Sequence, residues 1–158
     1  MSKVFQFKTV QIIPAAIEEV WAFFSAPENL KTITPSHLGF QILSDKYGDT
    51  MYAGELIEYT VKPLLGIPLY WMTEITQVVP LQYFIDEQRC GPYSFWHHQH
   101  HFKKVPEGVE MTDIVHYKIP YWILGDVANY LFVKSQLKRI FDFRKKVTDK
   151  KFTTLKDG

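Results

Sequence analysis

Cys90-Gly91-Pro92-Tyr93-Ser94-Phe95-Trp96-His97-His98-Gln99-His100-His101-Phe102 places four of the chain's six histidines and four aromatic rings in thirteen residues. Gly91-Pro92 is a turn signal, so a strand starts after it and runs through 95–102. Alternation sends Trp96, His98, His100 and Phe102 to one face and Phe95, His97, Gln99 and His101 to the other. The first set is bracketed by Trp and Phe, which marks it as the interior face, and the second is expected in solvent. Two imidazoles about 6–7 Å apart on an apolar wall need polar partners once buried.

Downstream, Val105-Pro106-Glu107-Gly108 is a hairpin connection and 109–119 the next strand. Two registers compete. Pairing Val105 with Val109 sets His116 opposite His98 and gathers three imidazoles on one face, which begins a metal site. Pairing Pro106 with Val109 sets Tyr117 opposite His98 and Asp113 opposite Phe102, and turns Met111, Val115, Tyr117 and Ile119 inward. The second buries the more apolar set and is the one expected, so no metal is expected either. Asp113 then lies within side-chain reach of His100, and Asp86 on the preceding strand is a second carboxylate partner. Such pairs serve as structure or as a general base.

Upstream, residues 3–13 alternate and are rich in β-branched and aromatic types, a strand that Pro14 ends. Ile17, Val20, Trp21 and Phe24 recur at helical spacing, and Pro27 opens a second short helix with Leu30 and Ile33 inside. Strands follow at 39–44, 53–62, 69–79 and 83–89, with a turn at 45–49. Pro63-Leu64-Leu65-Gly66-Ile67-Pro68 reads as an apolar loop that either closes one end of a cavity or packs on the sheet. From about Gly125 to Lys150 one long helix turns Val127, Tyr130, Leu131, Leu137, Ile140, Phe141 and Arg144 inward. Its outer face and end are basic, with Lys138, Arg139, Arg144, Lys145, Lys146, Lys150 and Lys151. The helix dipole favours cations there; an anionic membrane or partner surface is the other use of such a face.

Length fits one domain, 1–158, with a core of its own. A net charge of +1 argues against a nucleic-acid binder. The apolar runs fall short of the roughly 20 residues that span a bilayer, and signal-peptide features are lacking, so a cytoplasmic protein without membrane insertion is expected. The lone Cys90 allows no internal disulfide and reads as a small apolar residue rather than a nucleophile. No phosphate loop, nucleophile elbow or zincin helix is present, and no cofactor is expected. The layout is α+β: two short helices after the first strand, a curved antiparallel sheet of about seven strands, and a long C-terminal helix gripped by its concave face. The space between them is a pocket of the kind small apolar ligands use.

That order, with Val20-Trp21-Ala22-Phe23-Phe24, Thr34-Pro35, Gly91-Pro92-Tyr93, Phe95-Trp96-His97-His98 and Tyr117-Lys118-Ile119-Pro120, resembles the START-like SRPBCC superfamily. Within it the chain is most similar to small bacterial ligand-binding proteins related to polyketide cyclases and lipid-transfer domains. The resemblance covers nearly the whole chain and implies a helix-grip fold with a deep hydrophobic cavity; it spans carriers and enzymes alike. The function expected first is binding of a lipid, isoprenoid or aromatic polyketide by Tyr59, Trp71, Trp96, His98, His100, Phe102, Tyr117 and Tyr130. A cyclase or dehydrase with His98, His100 or Asp113 in acid–base roles is second, and an interaction module using the basic helix is third. Ligand identity and oligomeric state are left open by these residues.

Overall fold

The computed structural model of the chain describes residues 3–44, 50–64, 66–120 and 126–154. Proline or glycine follows directly on most strands, as the sequence requires of residues that cannot continue a ladder: Pro14 after β1 (Phe5–Ile13), Pro80 after β4 (Ile67–Val79), Gly91 after β5 (Tyr83–Cys90), Pro106 after β6 (Phe95–Val105). With β2 (Gln41–Ile42), β3 (Leu56–Leu64) and β7 (Gly108–Lys118) these form one seven-stranded antiparallel sheet in the order β1-β7-β6-β5-β4-β3-β2. The fold class is the expected α+β helix grip.

Helix α1 (Ile17–Phe24) follows Pro14, with Glu18 and Glu19 in its first turn, where the helix dipole favours anions. The expected second short helix is a 3-10 turn at Pro27–Lys31, and a further 3-10 turn at Ser36–Leu38 was not legible in Thr34-Pro35-Ser36. Helix α2 (Asp126–Thr154) is buried through Val133, Leu137, Phe141, Thr148 and Phe152, steps of four and seven. Leu131 is 60% exposed, against its expected place on the inner stripe, because that row passes it on either side, through Tyr130 and Val133. Leu131→Ser should therefore change the unfolding free energy by less than about 0.5 kcal/mol, read from the urea midpoint. No helix among the described residues is long and apolar enough to cross a membrane.

Two further expectations are corrected. Leu64 pairs with Ile67, so β3 and β4 run through the supposed apolar loop. Of its described residues, Gly66, Ile67 and Pro68 take no part in lining the cavity; Leu65 and the turn expected at 45–49 lie outside the described residues.

The β6–β7 register differs from the expected one by two residues: Val105 pairs with Gly108, His100 with Asp113, His98 with Val115 and Trp96 with Tyr117. A shift of two keeps every side chain on its expected face but changes its neighbours. Gly108 decides the matter. It sits in the ladder at φ +137°, and a Cβ there would lie 2.1 Å from the Ile13 carbonyl oxygen. Only glycine joins the strand at that point, which leaves Pro106-Glu107 as the turn. Gly108→Ala should cost about 2 kcal/mol from backbone strain and overlap together, seen as a lowered midpoint with β1 amides exchanging faster.

Candidate functional site: a cavity with a histidine–aspartate wall

Irregular pairing between β4 and β5, at Met72/Thr73 and Ile75/Gln77, and between β3 and β4, at Val61/Leu64, bends the sheet around α2. A cavity of about 170 Å³ lies between them. Ile57, Val61 and Ile75 line it from the sheet, Leu30 and Leu38 from the 3-10 turns with Ile33 between them, and Leu137, Ile140 and Phe141 from α2.

Of the residues expected to bind ligand, Tyr59, Trp71, Trp96, His98 and His100 line this cavity. Phe102 packs instead among Trp21, Phe24 and Phe84. Tyr117 is fully buried with Val115, Val133 and Leu137, beside the cavity rather than on it, because the corrected register moves it to the level of Trp96. Tyr130 stacks on Phe5 at 4.4 Å, outside the lining. Sequence reasoning missed Thr73, Asp86 and Arg144 as lining groups. Its charge assigns Arg144 to the basic outer face, although its helical spacing from Leu137 and Phe141 also places it inward.

The polar wall is built from three adjacent strands. On β6, His98 and His100 are each 5% exposed; Asp86 on β5 pairs with His98, and Asp113 on β7, 3% exposed, pairs with His100. His98 Nε2 is hydrogen-bonded to Asp113 Oδ1 at 2.8 Å and His100 Nε2 to Asp86 Oδ2 at 2.7 Å. His98 Nδ1 faces Asp86 Oδ2 at 3.4 Å. His100 Nδ1 lies 3.1 Å from Asp113 Oδ1 without hydrogen-bond geometry, so that contact is electrostatic. Arg144 Nη1 comes within 4.0 Å of Asp113 Oδ1, and its guanidinium covers the Phe141 ring at 4.8 Å. Asp113 was expected beside Phe102, touching His100 only diagonally; instead it holds both imidazoles.

Burial pushes Asp113 toward the neutral form, but its bonds to His100 and His98 outweigh burial and hold it well below the usual carboxylate range; Asp86 is held low in the same way. His98 is pushed down by burial and by the charge of His100. His100 feels the same burial, yet its contacts with Asp113 and Asp86 raise it. The opposite shifts place the first proton on His100 rather than on His98, so below its folded pKa His100 joins Arg144 as a second cation facing the two carboxylates. On the outer face, His97 and His101 are half-buried rather than solvent-exposed, because Gln99 bridges them and Glu87 bonds His97 at 2.9 Å.

A pH optimum of stability follows from the opposite shifts. A raised His100 contributes stability that is complete below the unfolded value of about 6.5 and lost as pH rises through its folded value. A lowered His98 removes stability as pH falls below about 6.5. Both carboxylates add a further loss below about pH 4. Stability of the unliganded protein should peak near pH 6.5, by thermal melts across pH 4–9; His98→Gln should soften the decline on the acid side of that peak.

A profile described as "Polyketide cyclase / dehydrase and lipid transport" matches residues 13–143. The chain belongs to this family. Its members are of the ligand-binding or cyclase type, and no specific ligand follows from membership. Similar solved structures include the Zhui aromatase/cyclase of Streptomyces sp. R1128, at 10% identity and TM-score 0.74, covering 96% of this chain and 94% of that one. A Mycobacterium smegmatis protein is 14% identical, with TM-score 0.69 and coverages of 95% and 92%. A Rhizobium leguminosarum protein is 19% identical, with TM-score 0.65 and coverages of 95% and 97%. At such identities the likeness shows the fold alone. No curated protein matches the chain.

Proposed function

We propose that this chain binds a small apolar molecule carrying one hydrogen-bond acceptor, held between the sheet and α2 with the acceptor toward Trp71 and the histidine–aspartate wall. Trp71 carries the reading: its ring lines the cavity, and its Nε1 is a buried donor with no hydrogen-bond partner among the described residues. Leaving such a donor unpaired costs about 1–3 kcal/mol, a cost that a ligand carbonyl would remove. The volume supports a one- or two-ring aromatic or a short chain, since a cavity of about 150 Å³ accepts benzene; a long lipid or fused polyketide needs the walls to move. The cavity is not filled by its own side chains, and this favours a binder over a pure interaction module.

Native mass spectrometry of protein purified without added ligand, followed by organic extraction, tests the reading. A discrete small apolar mass near one per chain is expected. Acetophenone and α-methylstyrene, alike in shape, then separate the roles: acetophenone should bind at least as tightly although water solvates it better, and Trp71→Phe should remove its advantage. Tighter binding of the hydrocarbon would overturn the acceptor assignment.

A second reading rests on His98, an imidazole held neutral beside Asp113 on the lining. A neutral imidazole there fits a general base that removes a proton next to a ligand carbonyl. The wild type should then accelerate deuterium uptake at the methyl group of acetophenone, and His98→Gln should bind it without exchange. Equal exchange in both proteins would leave the chain a carrier.

A further inference from the structure

The histidine–aspartate wall is divided in a way that mutual satisfaction does not require. Asp86, His98 and His100 line the cavity, whereas Asp113 stands behind them and does not. Each imidazole turns one nitrogen to each side: His98 presents Nε2 to Asp113 and Nδ1 to Asp86, and His100 presents Nδ1 to Asp113 and Nε2 to Asp86. Three donor atoms therefore converge on the side away from Asp113, Asp86 Oδ2, His98 Nδ1 and His100 Nε2, in residues that line the cavity.

We propose that these three atoms bind a divalent first-row transition ion such as zinc or iron, with Asp113 as the positioning carboxylate behind both imidazoles and the remaining coordination positions open to the cavity. Ligands about 2.0–2.1 Å from one ion stand roughly 3.0–3.4 Å apart. The spacings from Asp86 Oδ2 are 2.7 Å to His100 Nε2 and 3.4 Å to His98 Nδ1, and one donor atom from each residue falls within 4.8 Å of the others. Small side-chain shifts close the triangle on an ion once the proton on His100 Nε2 leaves. Two imidazoles and one carboxylate, with other positions open, suit zinc and non-haem iron rather than calcium or magnesium, which prefer all-oxygen sites. A carboxylate receiving the second nitrogen of a metal-bound histidine fixes its tautomer and raises its basicity; Asp113 serves both rings at once. An ion here would hold a ligand oxygen at the polar end of an otherwise apolar cavity.

The site shares its wall with the function proposed above but not its ligand. Metal uptake is read on protein with no organic molecule added, and acetophenone binding is read on chelator-treated protein, so one can fail while the other stands. Chelator-treated protein titrated with Co²⁺ alone should take up one ion per chain, with the visible d–d band of a four- or five-coordinate site, and Zn²⁺ should displace it. Asp86→Asn and His98→Gln should each weaken Co²⁺ by at least about 100-fold, and Asp113→Asn by about 10- to 100-fold with the band shifted. His97→Gln/His101→Gln, on the outer face, should leave affinity unchanged. If the inner variants fail to fold, imidazole ¹⁵N shifts of the wild type on adding Zn²⁺ give the answer, since only His98 and His100 should move. No uptake of either ion, or uptake that follows the outer histidines, overturns the site and leaves the four residues a structural network.

Discussion

Asp113→Ala should lower the unfolding free energy by about 3–5 kcal/mol. Asp113 is 3% exposed and faces His98 at 2.8 Å, His100 at 3.1 Å and Arg144 at 4.0 Å. Removing it leaves two buried cations sharing Asp86 alone, His98 without the acceptor for its Nε2 proton, and a void behind the imidazoles. Breaking one partner of a buried set costs far more than the set contributes as a whole, because the remaining charges cannot regain water. The melting temperature should fall by roughly 6–20 °C at this chain length. Asp113→Asn keeps the volume and loses the charge, so it should fall between the two proteins. Simultaneous apolar replacement of all four wall residues should be neutral or mildly stabilising, while acceptor and metal binding disappear. A loss under about 1 kcal/mol for Asp113→Ala would mean that the carboxylate is not the ionised centre described here.

That Asp113 would matter was legible in the sequence, but what it touches was not. Period-two alternation from Gly91-Pro92 put His98 and His100 inward, because burial of one sheet face constrains side-chain parity strongly. Register along the strand is set by the turn, and Pro106-Glu107 against Glu107-Gly108 differ only by whether Gly108 belongs to the ladder. Its need to pass close to the Ile13 carbonyl arises from β1, more than ninety residues away in sequence. No local pattern carries that. The same limit explains Phe102 and Tyr117: both are inward and apolar as expected, yet the cavity ends between His100 and Phe102 on one side and at Trp96 on the other. Bulges at Thr76 in β4 and at Arg89 in β5 place that boundary, and both residues look like ordinary strand positions. Leu131 was misplaced because a nearly uniform apolar stretch, Tyr130-Leu131-Phe132-Val133, does not say which of its members points inward. Arg144 shows the reverse case, in which helical spacing indicated an inner position and charge indicated an outer one; the Phe141 ring and Asp113 make the inner one affordable.

Ile140→Trp should abolish ligand binding while leaving the protein as stable as before or up to about 1 kcal/mol more stable. Ile140 is half-buried on α2, lines the cavity, and packs against Leu38, Val61 and Trp71. In a filled core a larger side chain forces strained rotamers and backbone shifts costing about 1–3 kcal/mol. Here the added atoms have empty space to enter, so they gain contacts and withdraw apolar surface from water instead. The indole would occupy much of a 170 Å³ cavity, and acetophenone affinity, by calorimetric titration, should fall by at least about 100-fold, close to 2.7 kcal/mol at room temperature. The two readouts separate the alternatives. A large destabilisation would mean that the cavity is closed by its own side chains in solution and offers no room for a guest. Unchanged stability with unchanged binding would place the guest elsewhere on the molecule. Lost binding at undiminished stability is the signature of space that the fold keeps open, and the polar wall built on β5, β6 and β7 is then what that space is kept open for.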